Sequence, residues 1–272
     1  MIDAEYIKEW RPEHPWMTAA MVEQDLLISR ALVAIFSDPF LSEHLAFRGG
    51  TALHKLYMHP QPRYSEDIDL VQIHPGPINE IMNHLREALA YMPEPYAKTS
   101  KINNTLIYKY TSEIAPVERM RLKVEINCRE HFHVLPWVKI PFSVHNGWFS
   151  GNCEIVTYKL DELLGTKLRA LYQRRKGRDL FDLDYALTQA EVHEEKILPC
   201  FCKYIHFVDD KIPTQRQFEM NMKEKLASDE YINDTRPILI PSVTHHAPSA
   251  YAHVHGRLIS HIDTYRDAYL RS

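Results

Sequence analysis

Two of the chain's eight glycines stand side by side, Gly49 and Gly50, in a protein of 272 residues. Eight is less than half the roughly 7% share usual in soluble proteins. A chain so sparing of glycine has few places where its backbone can take left-handed conformations or come close to another group. The pair therefore marks a point where such an approach is needed. Elsewhere the chain has the makings of an ordinary globular protein, with 45% hydrophobic and 25% charged residues. Its length gives room for one large domain or two modest ones around buried cores.

The pattern of apolar residues sets the fold class. Met21, Leu27, Ile28, Leu32, Ile35 and Phe36 form a helical stripe over 17–36. Residues 47–56, FRGGTALHKL, read as a turn leading into a helix, and 63–73 alternates after Ser65 as a half-buried strand does. Pro77 starts a helix with the stripe Ile78, Ile81, Met82, Leu85 and Leu89. Residues 105–111 and 120–127 are strand-like. After about residue 155 the character turns helical, with Leu160, Leu163, Leu164, Leu168 and Leu171 on one helix and another beginning at 178. Further helices are expected around 192–207, 214–227 and 250–270, with a proline-containing loop at 236–248. This order predicts an α+β fold with a core domain over 1–155 and a mostly helical domain over 156–272.

The bulk properties mainly exclude. A formal net charge of −4 gives no global field attracting nucleic acid, so any such binding needs a local patch. No apolar run reaches the roughly 18 residues of a membrane span. The N-terminal segment lacks a signal peptide's basic start and apolar centre. Cys128, Cys153, Cys200 and Cys202 form no CxxC pair, as expected of buried or idle thiols in a reducing cytoplasm. The histidine pairs at 131/133, 245/246 and 253/255 lack zinc spacings, and there is no GxxxxGK[ST], GxGxxG or GxSxG motif.

Asp67 and Asp69 are two apart on a strand, so both point to one face while Ile68 and Leu70 point to the other. Two adjacent carboxylates repel, and packing does not require them. They either sit on a solvated face or hold a divalent cation, and Mg²⁺ favours a few carboxylates completed by substrate phosphates. Three features favour the cation. Residues 120–127 place Met120, Leu122, Val124 and Ile126 on one face and Arg121, Lys123, Glu125 and Asn127 on the other. Glu125 is then a third carboxylate, beside the pair if the strands are neighbours. Gly49, Gly50 and Thr51 precede a helix, where exposed N–H groups cradle phosphate. Arg48, Lys55 and Arg63 flank both motifs and could neutralise phosphate charge.

FRGGTALHKLY followed by RYSEDIDL resembles the AbiEii/AbiGii nucleotidyltransferase toxins, relatives of the DNA polymerase β superfamily. Their signature is a G-G-[ST] turn with a following Lys or Arg, then R-x-[ST]-x-D-x-D. KLDELLGTKLRALYQRRKGRDLFDL, residues 159–183, is similar to the family's later K…R…R-D-x-x-D block. The resemblance covers roughly residues 20–190. It implies a nucleotidyltransferase-like core, a mixed β-sheet flanked by helices, that moves a nucleoside monophosphate from an NTP such as ATP or CTP to an acceptor hydroxyl. On this reading Asp67, Asp69 and Glu125 bind Mg²⁺ or Mn²⁺ and Glu125 helps deprotonate the acceptor. Gly49, Gly50, Thr51, Lys55, Arg63, Ser65, Arg178, Asp179 and Asp182 attend the nucleotide, and Lys167 is aimed at the β/γ-phosphates.

The late block also reads from its residues. Lys167 lies on the leucine stripe and turns inward, or snorkels to the surface. Asp179 and Asp182 share a helix face. They order Lys167 or Arg178, touch the nucleotide, or simply complement a helix N-terminus. Between 155 and 178 seven basic residues face two acidic ones, a patch for a polynucleotide backbone or a solvated helix face. Arg174, Arg175 and Lys176 are the first places to seek acceptor contacts. By analogy with the family the acceptor is RNA, a tRNA 3′ end, and the chain is a toxin with a cognate antitoxin or a phage-defence protein. A small-molecule or protein acceptor, and a non-catalytic module of the same fold, stand as alternatives.

Overall fold

The computed structural model describes residues 2–100 and 102–271. It divides into two compact units, Met1–Tyr158 and Lys159–Ser272. The first unit opens with α1 (Ala4–Trp10), α2 (Ala19–Ser37), α3 (Pro39–His44), β1 (Leu45–Arg48) and α4 (Gly49–Tyr57). It continues with β2 (Asp67–Gln72), α5 (Ile78–Ala88), β3 (Tyr96–Thr99) and β4 (Asn103–Thr111), then β5 (Arg119–Asn127), β6 (Val138–His145) and β7 (Ser150–Thr157). Among the described residues these strands form one mixed seven-stranded sheet in the order β3-β4-β5-β2-β1-β7-β6.

Local chemistry explains the helix starts. The Thr18 side chain accepts a hydrogen bond from the Met21 N–H at 3.1 Å and caps α2, while Asp38 caps α3 at Leu41. α2 packs on β5, β6 and β7. Ile68, Leu70, Leu122, Val124 and Ile126 are fully or almost fully buried, and their strand neighbours carry the polar groups. The α2 interior also holds a charge: Asp25 is completely buried, 2.9 Å from the Lys55 ammonium and 2.9 Å from the Trp10 indole N–H. Burial alone would raise its carboxyl pKa, but Lys55 and His14 hold it below the ordinary value.

Several elements differ from the sequence expectations. The strand expected from residue 63 begins at Asp67, because residues 63–66 are a connection bonded to α4. β1, β3, β6 and β7 carry weak signals. β1 is four residues long and almost wholly buried, so it shows no alternation. β6 contains Pro141, which an edge strand tolerates because its unpaired side needs no N–H. The first unit runs to Tyr158 because β7 occupies 150–157.

The second unit is helical: α6 (Leu160–Gln173), α7 (Gly177–Gln189), α8 (Glu194–Asp209), α9 (Gln215–Leu226), α10 (Asp229–Asn233), α11 (Ala247–Arg257) and α12 (Ile262–Arg271). The single helix expected over 250–270 is two, broken by a 3-10 turn at Ile259–His261. No helix among the described residues is long and apolar enough to cross a membrane.

α6 and α8 meet at Gly165, where an added Cβ would lie 2.6 Å from Cys200 Cβ and 2.9 Å from the Ile197 carbonyl oxygen. This glycine gives closeness between two helices. Gly165→Ala is therefore expected to destabilise the protein by about 1–3 kcal/mol through overpacking. Urea denaturation of the two proteins measures this, and an unchanged midpoint would contradict the close crossing.

Candidate active site

The polar face of the sheet is built by register. β2 and β5 run parallel, with Asp67 opposite Lys123 and Asp69 opposite Glu125. β1 pairs antiparallel with β2 and sets Arg48 opposite Asp69, while β4 sets Thr105 opposite Glu125. One row thus crosses four strands as Thr105, Glu125, Asp69 and Arg48. Asp67 and Lys123 sit in the next row on the same face. The neighbourhood expected of Glu125 and the aspartate pair is present in this register.

The adjacent glycines have distinct reasons. Gly49 adopts φ +79°, and a Cβ there would lie 2.3 Å from Asp69 Oδ2. Any other residue would be strained in this left-handed conformation and would push the carboxylate aside. A Cβ on Gly50 would lie 2.8 Å from Arg63 Nη2 and 3.4 Å from Ser65 Oγ. The pair lets the first turn of α4 press onto β2 and its preceding connection. Arg48 at the N-cap supplies no side-chain cap to that turn. Its N–H groups suit an anion.

The polar side chains around this turn are engaged in holding it. Thr51 is buried; its hydroxyl donates to the Asp67 carbonyl at 2.5 Å and lies 2.8 Å from the Ser65 hydroxyl. These two hydroxyls, expected at the nucleotide, tie α4 to the start of β2. Arg63 is buried and donates to the Tyr64 carbonyl at 2.8 Å, its guanidinium beneath Gly50. Arg48 pairs with Glu130 at 2.5 Å. Lys55, also expected at the nucleotide, departs furthest: its ammonium lies in the interior, on Asp25 and 3.0 Å from the Ser29 hydroxyl. The buried Asp25 carboxylate requires that partner.

The carboxylates are unequal. Burial, then the charges of Asp69 and Glu66, pushes the Asp67 carboxyl up to about 6. Two oxygen donors on one face under this repulsion fit a hard divalent cation completed by phosphate. Glu125, expected as a third ligand, is engaged by two neighbours. Its Oε1 accepts from the Asn103 amide at 3.1 Å, and its Oε2 is 2.6 Å from the Lys123 ammonium. Among the described residues no group of three or more His, Cys, Asp or Glu is arranged to hold a metal ion. Burial works to lower the Lys123 pKa, but Glu125, Asp67 and Asp69 hold it above the ordinary value. The sequence pattern placed Lys123 on this face without giving it a role. Asn103 had no signal, because its reach to Glu125 depends on β4 pairing with β5.

The second unit holds a separate charged cluster. Lys167 does turn inward: its ammonium is 3.2 Å from Asp179 Oδ1 and 2.9 Å from Asp182 Oδ2, with both acids fully buried. Between the ordering roles open to these acids, the structure gives them Lys167. Arg174, expected at an acceptor, clamps Asp179 with Nε and Nη2 at 2.5 and 2.6 Å. Burial would raise the Asp179 carboxyl, but Lys167 and Arg174 hold it low. Arg175 donates to the Glu224 carbonyl at 3.4 Å, and the Lys176 ammonium is 3.8 Å from Asp234. Asp234 also accepts from the Arg178 N–H at 3.1 Å, capping α7. Lys225 caps the other helix of the block, donating to the carbonyls of Leu171 and, at 2.8 Å, Tyr172.

Asp67 holds its proton more tightly in the folded chain than at its ordinary value of 3.8, so its ionised form costs stability above about pH 6. That cost fades as pH falls towards the unfolded value. In EDTA at pH 7.5, Asp67→Asn should be more stable than the wild type, on the order of 1–3 kcal/mol, with the gain shrinking towards pH 4. Thermal melts across this range measure it, and a less stable variant at pH 7.5 would refute the repulsion. Lys167→Met leaves two buried carboxylates short of a partner and should cost about 3–5 kcal/mol. Adding Asp182→Asn should recover part of that loss in urea titrations; no recovery would count against the coupling.

The chain is similar in sequence to a known family and in fold to known proteins. A sequence model of the family described as nucleotidyl transferase AbiEii toxin, type IV TA system, matches residues 30–249. No curated protein matches the chain in sequence. MenT4, a nucleotidyltransferase toxin from Mycobacterium tuberculosis H37Rv, superposes with a TM-score of 0.67 at 18% identity, over 98% of this chain and 91% of that one. JHP933 from Helicobacter pylori does so with a TM-score of 0.53 at 17% identity, over 93% and 96%. At these identities the two structures speak for the fold, a mixed sheet with helices, and the family match speaks for the chemistry. The chain belongs to the AbiEii nucleotidyltransferase toxin family of type IV toxin–antitoxin systems.

Proposed function

We propose that this nucleotidyltransferase moves a nucleoside monophosphate from an NTP to a hydroxyl of RNA, at a tRNA 3′ end, using a divalent cation held by Asp67 and Asp69. The observation that carries the reading is the pressed contact of Gly49 on Asp69. It brings a helix N-terminus that its own N-cap side chain does not cap against a carboxylate pair in which Asp67 is pushed up. Bound there, Mg²⁺ or Mn²⁺ supplies positive charge for the substrate phosphates.

The chain's own groups do the rest. The first-turn N–H groups of α4 hold phosphate oxygens, with the buried Arg63 guanidinium beneath them. Thr51 and Ser65 keep that turn fixed to β2, so the cradle and the carboxylates move as one piece. Glu125 takes the proton of the acceptor hydroxyl as its oxygen bonds to the α-phosphorus and pyrophosphate departs. Its neighbour Asn103 fixes the carboxylate's orientation. Within the second unit, Asp179, Asp182 and Arg174 form the charged cluster that holds the Lys167 side chain in place. Arg175 and Lys176, the less engaged of the basic residues after α6, are the RNA contacts. A cognate antitoxin completes the set of partners.

Incubating the protein with each labelled NTP, Mg²⁺ and total tRNA tests the reading. Label should enter tRNA with one preferred nucleotide. Asp69→Ala should lower transfer by about a thousandfold or more, as loss of several kcal/mol of charge stabilisation implies. Label found only in protein or small molecules would overturn the RNA acceptor, and equal transfer by Asp69→Ala would overturn the assigned carboxylates.

A further inference from the structure

Lys123 is the unexplained charge on the acidic face. It stands opposite Asp67 across the parallel β2–β5 pair, and its ammonium is 2.6 Å from Glu125 Oε2. The two side chains are 31% and 27% exposed, so this is a partly desolvated pair at the surface of the site. The charges that act on Lys123 are those of Glu125, Asp67 and Asp69, while Glu66 and Arg121 join it in acting on Asp67. Arg48, at the end of the Asp69 row, is paired with Glu130. Lys123 is thus a cation in contact with Glu125 that also faces Asp67 and Asp69. Both Glu125 oxygens are engaged at once, one by Lys123 and one by Asn103.

We infer that Lys123 is the resident counter-ion of this face, competing with the divalent cation for the carboxylates and holding Glu125 away from it. The inference rests on the proposed cation role of Asp67 and Asp69 and goes beyond it. A positive charge among three carboxylates lowers their attraction for a second cation, and a carboxylate bonded to lysine is withheld as a ligand. Removing Lys123 lifts both restraints. The loss of a lysine at the site thus strengthens cation binding, the reverse of what a phosphate-binding lysine alone would do.

The test is calorimetric titration of Mn²⁺ into nucleotide-free protein, comparing wild type with Lys123→Met, Lys123→Arg, Asp67→Asn and the double variant Lys123→Met/Glu125→Gln. Lys123→Met should bind Mn²⁺ about tenfold more tightly or better, the order one unit charge contributes at close range in a partly solvated site. Lys123→Arg keeps the charge and should match the wild type. The double variant should lose part of the gain, because Glu125 is then unable to ligate. Thermal melts check that each variant is folded, as its exposure leads us to expect. With binding abolished by Asp67→Asn, a Lys123→Met affinity equal to or weaker than wild type overturns the counter-ion role and leaves the cation site standing. If Asp67→Asn binds Mn²⁺ as the wild type does, the cation site itself fails and this inference with it.

Discussion

The parallel register of β2 against β5 is the constraint on which the site depends. Ile68, Leu70, Val124 and Ile126 bury one side of the two strands, and that burial fixes which side every other residue takes. A slip of one residue in either strand would turn its apolar residues out and its charges in, so the core enforces the array on the opposite face. Parallel strands also need a long connection. Here α5, β3 and β4 lie between β2 and β5 in the chain, and β4 returns to flank β5 and bring Asn103 to Glu125. The acidic face is thus a consequence of packing on its far side.

The protein treats its acids in two ways. Asp25, Asp179 and Asp182 are fully buried and directly paired, with Lys55 or with Lys167 and Arg174, and Asp25 and Asp179 are held below their ordinary carboxyl pKa. Removing a partner from such a group is costly, which ties each unit's interior to its charged pairs. Asp67 is the opposite case: partly buried beside a like charge and pushed up. Glu23 is also pushed up, by burial and the charge of Glu113, but its carboxylate accepts from the Glu113 N–H; at Asp67 the proposed function gives the repulsion a use in binding. Lys123 relieves that repulsion in part.

The sequence made much of this legible. The Gly49-Gly50 pair, the spacing of Asp67 and Asp69, and the clean alternation from Met120 to Asn127 are local patterns, each readable from a few residues. Their order along the chain resembled a family, and the family match bears that out. The leucine stripe also turned Lys167 inward without knowledge of its partners. Less legible were β1, too short and too buried to alternate, β6 with its proline, and the break between α11 and α12. In each the tertiary surroundings override local preference.

What the sequence determined by itself is therefore the inventory and its facing: a glycine turn before a helix, two aspartates on one strand face, a glutamate and a lysine on another. Only the tertiary structure decided which of these meet. It set Glu125 beside Asp69 and Lys123 opposite Asp67, because strand pairing is chosen by contacts far apart in the chain. It also drew Lys55 into the interior and Arg174 onto Asp179, because a carboxylate taken out of water needs a cation and takes the nearest one. The adjacent glycines were visible from the start; that one is needed for Asp69 and the other for Arg63 depends on distances that no run of sequence records.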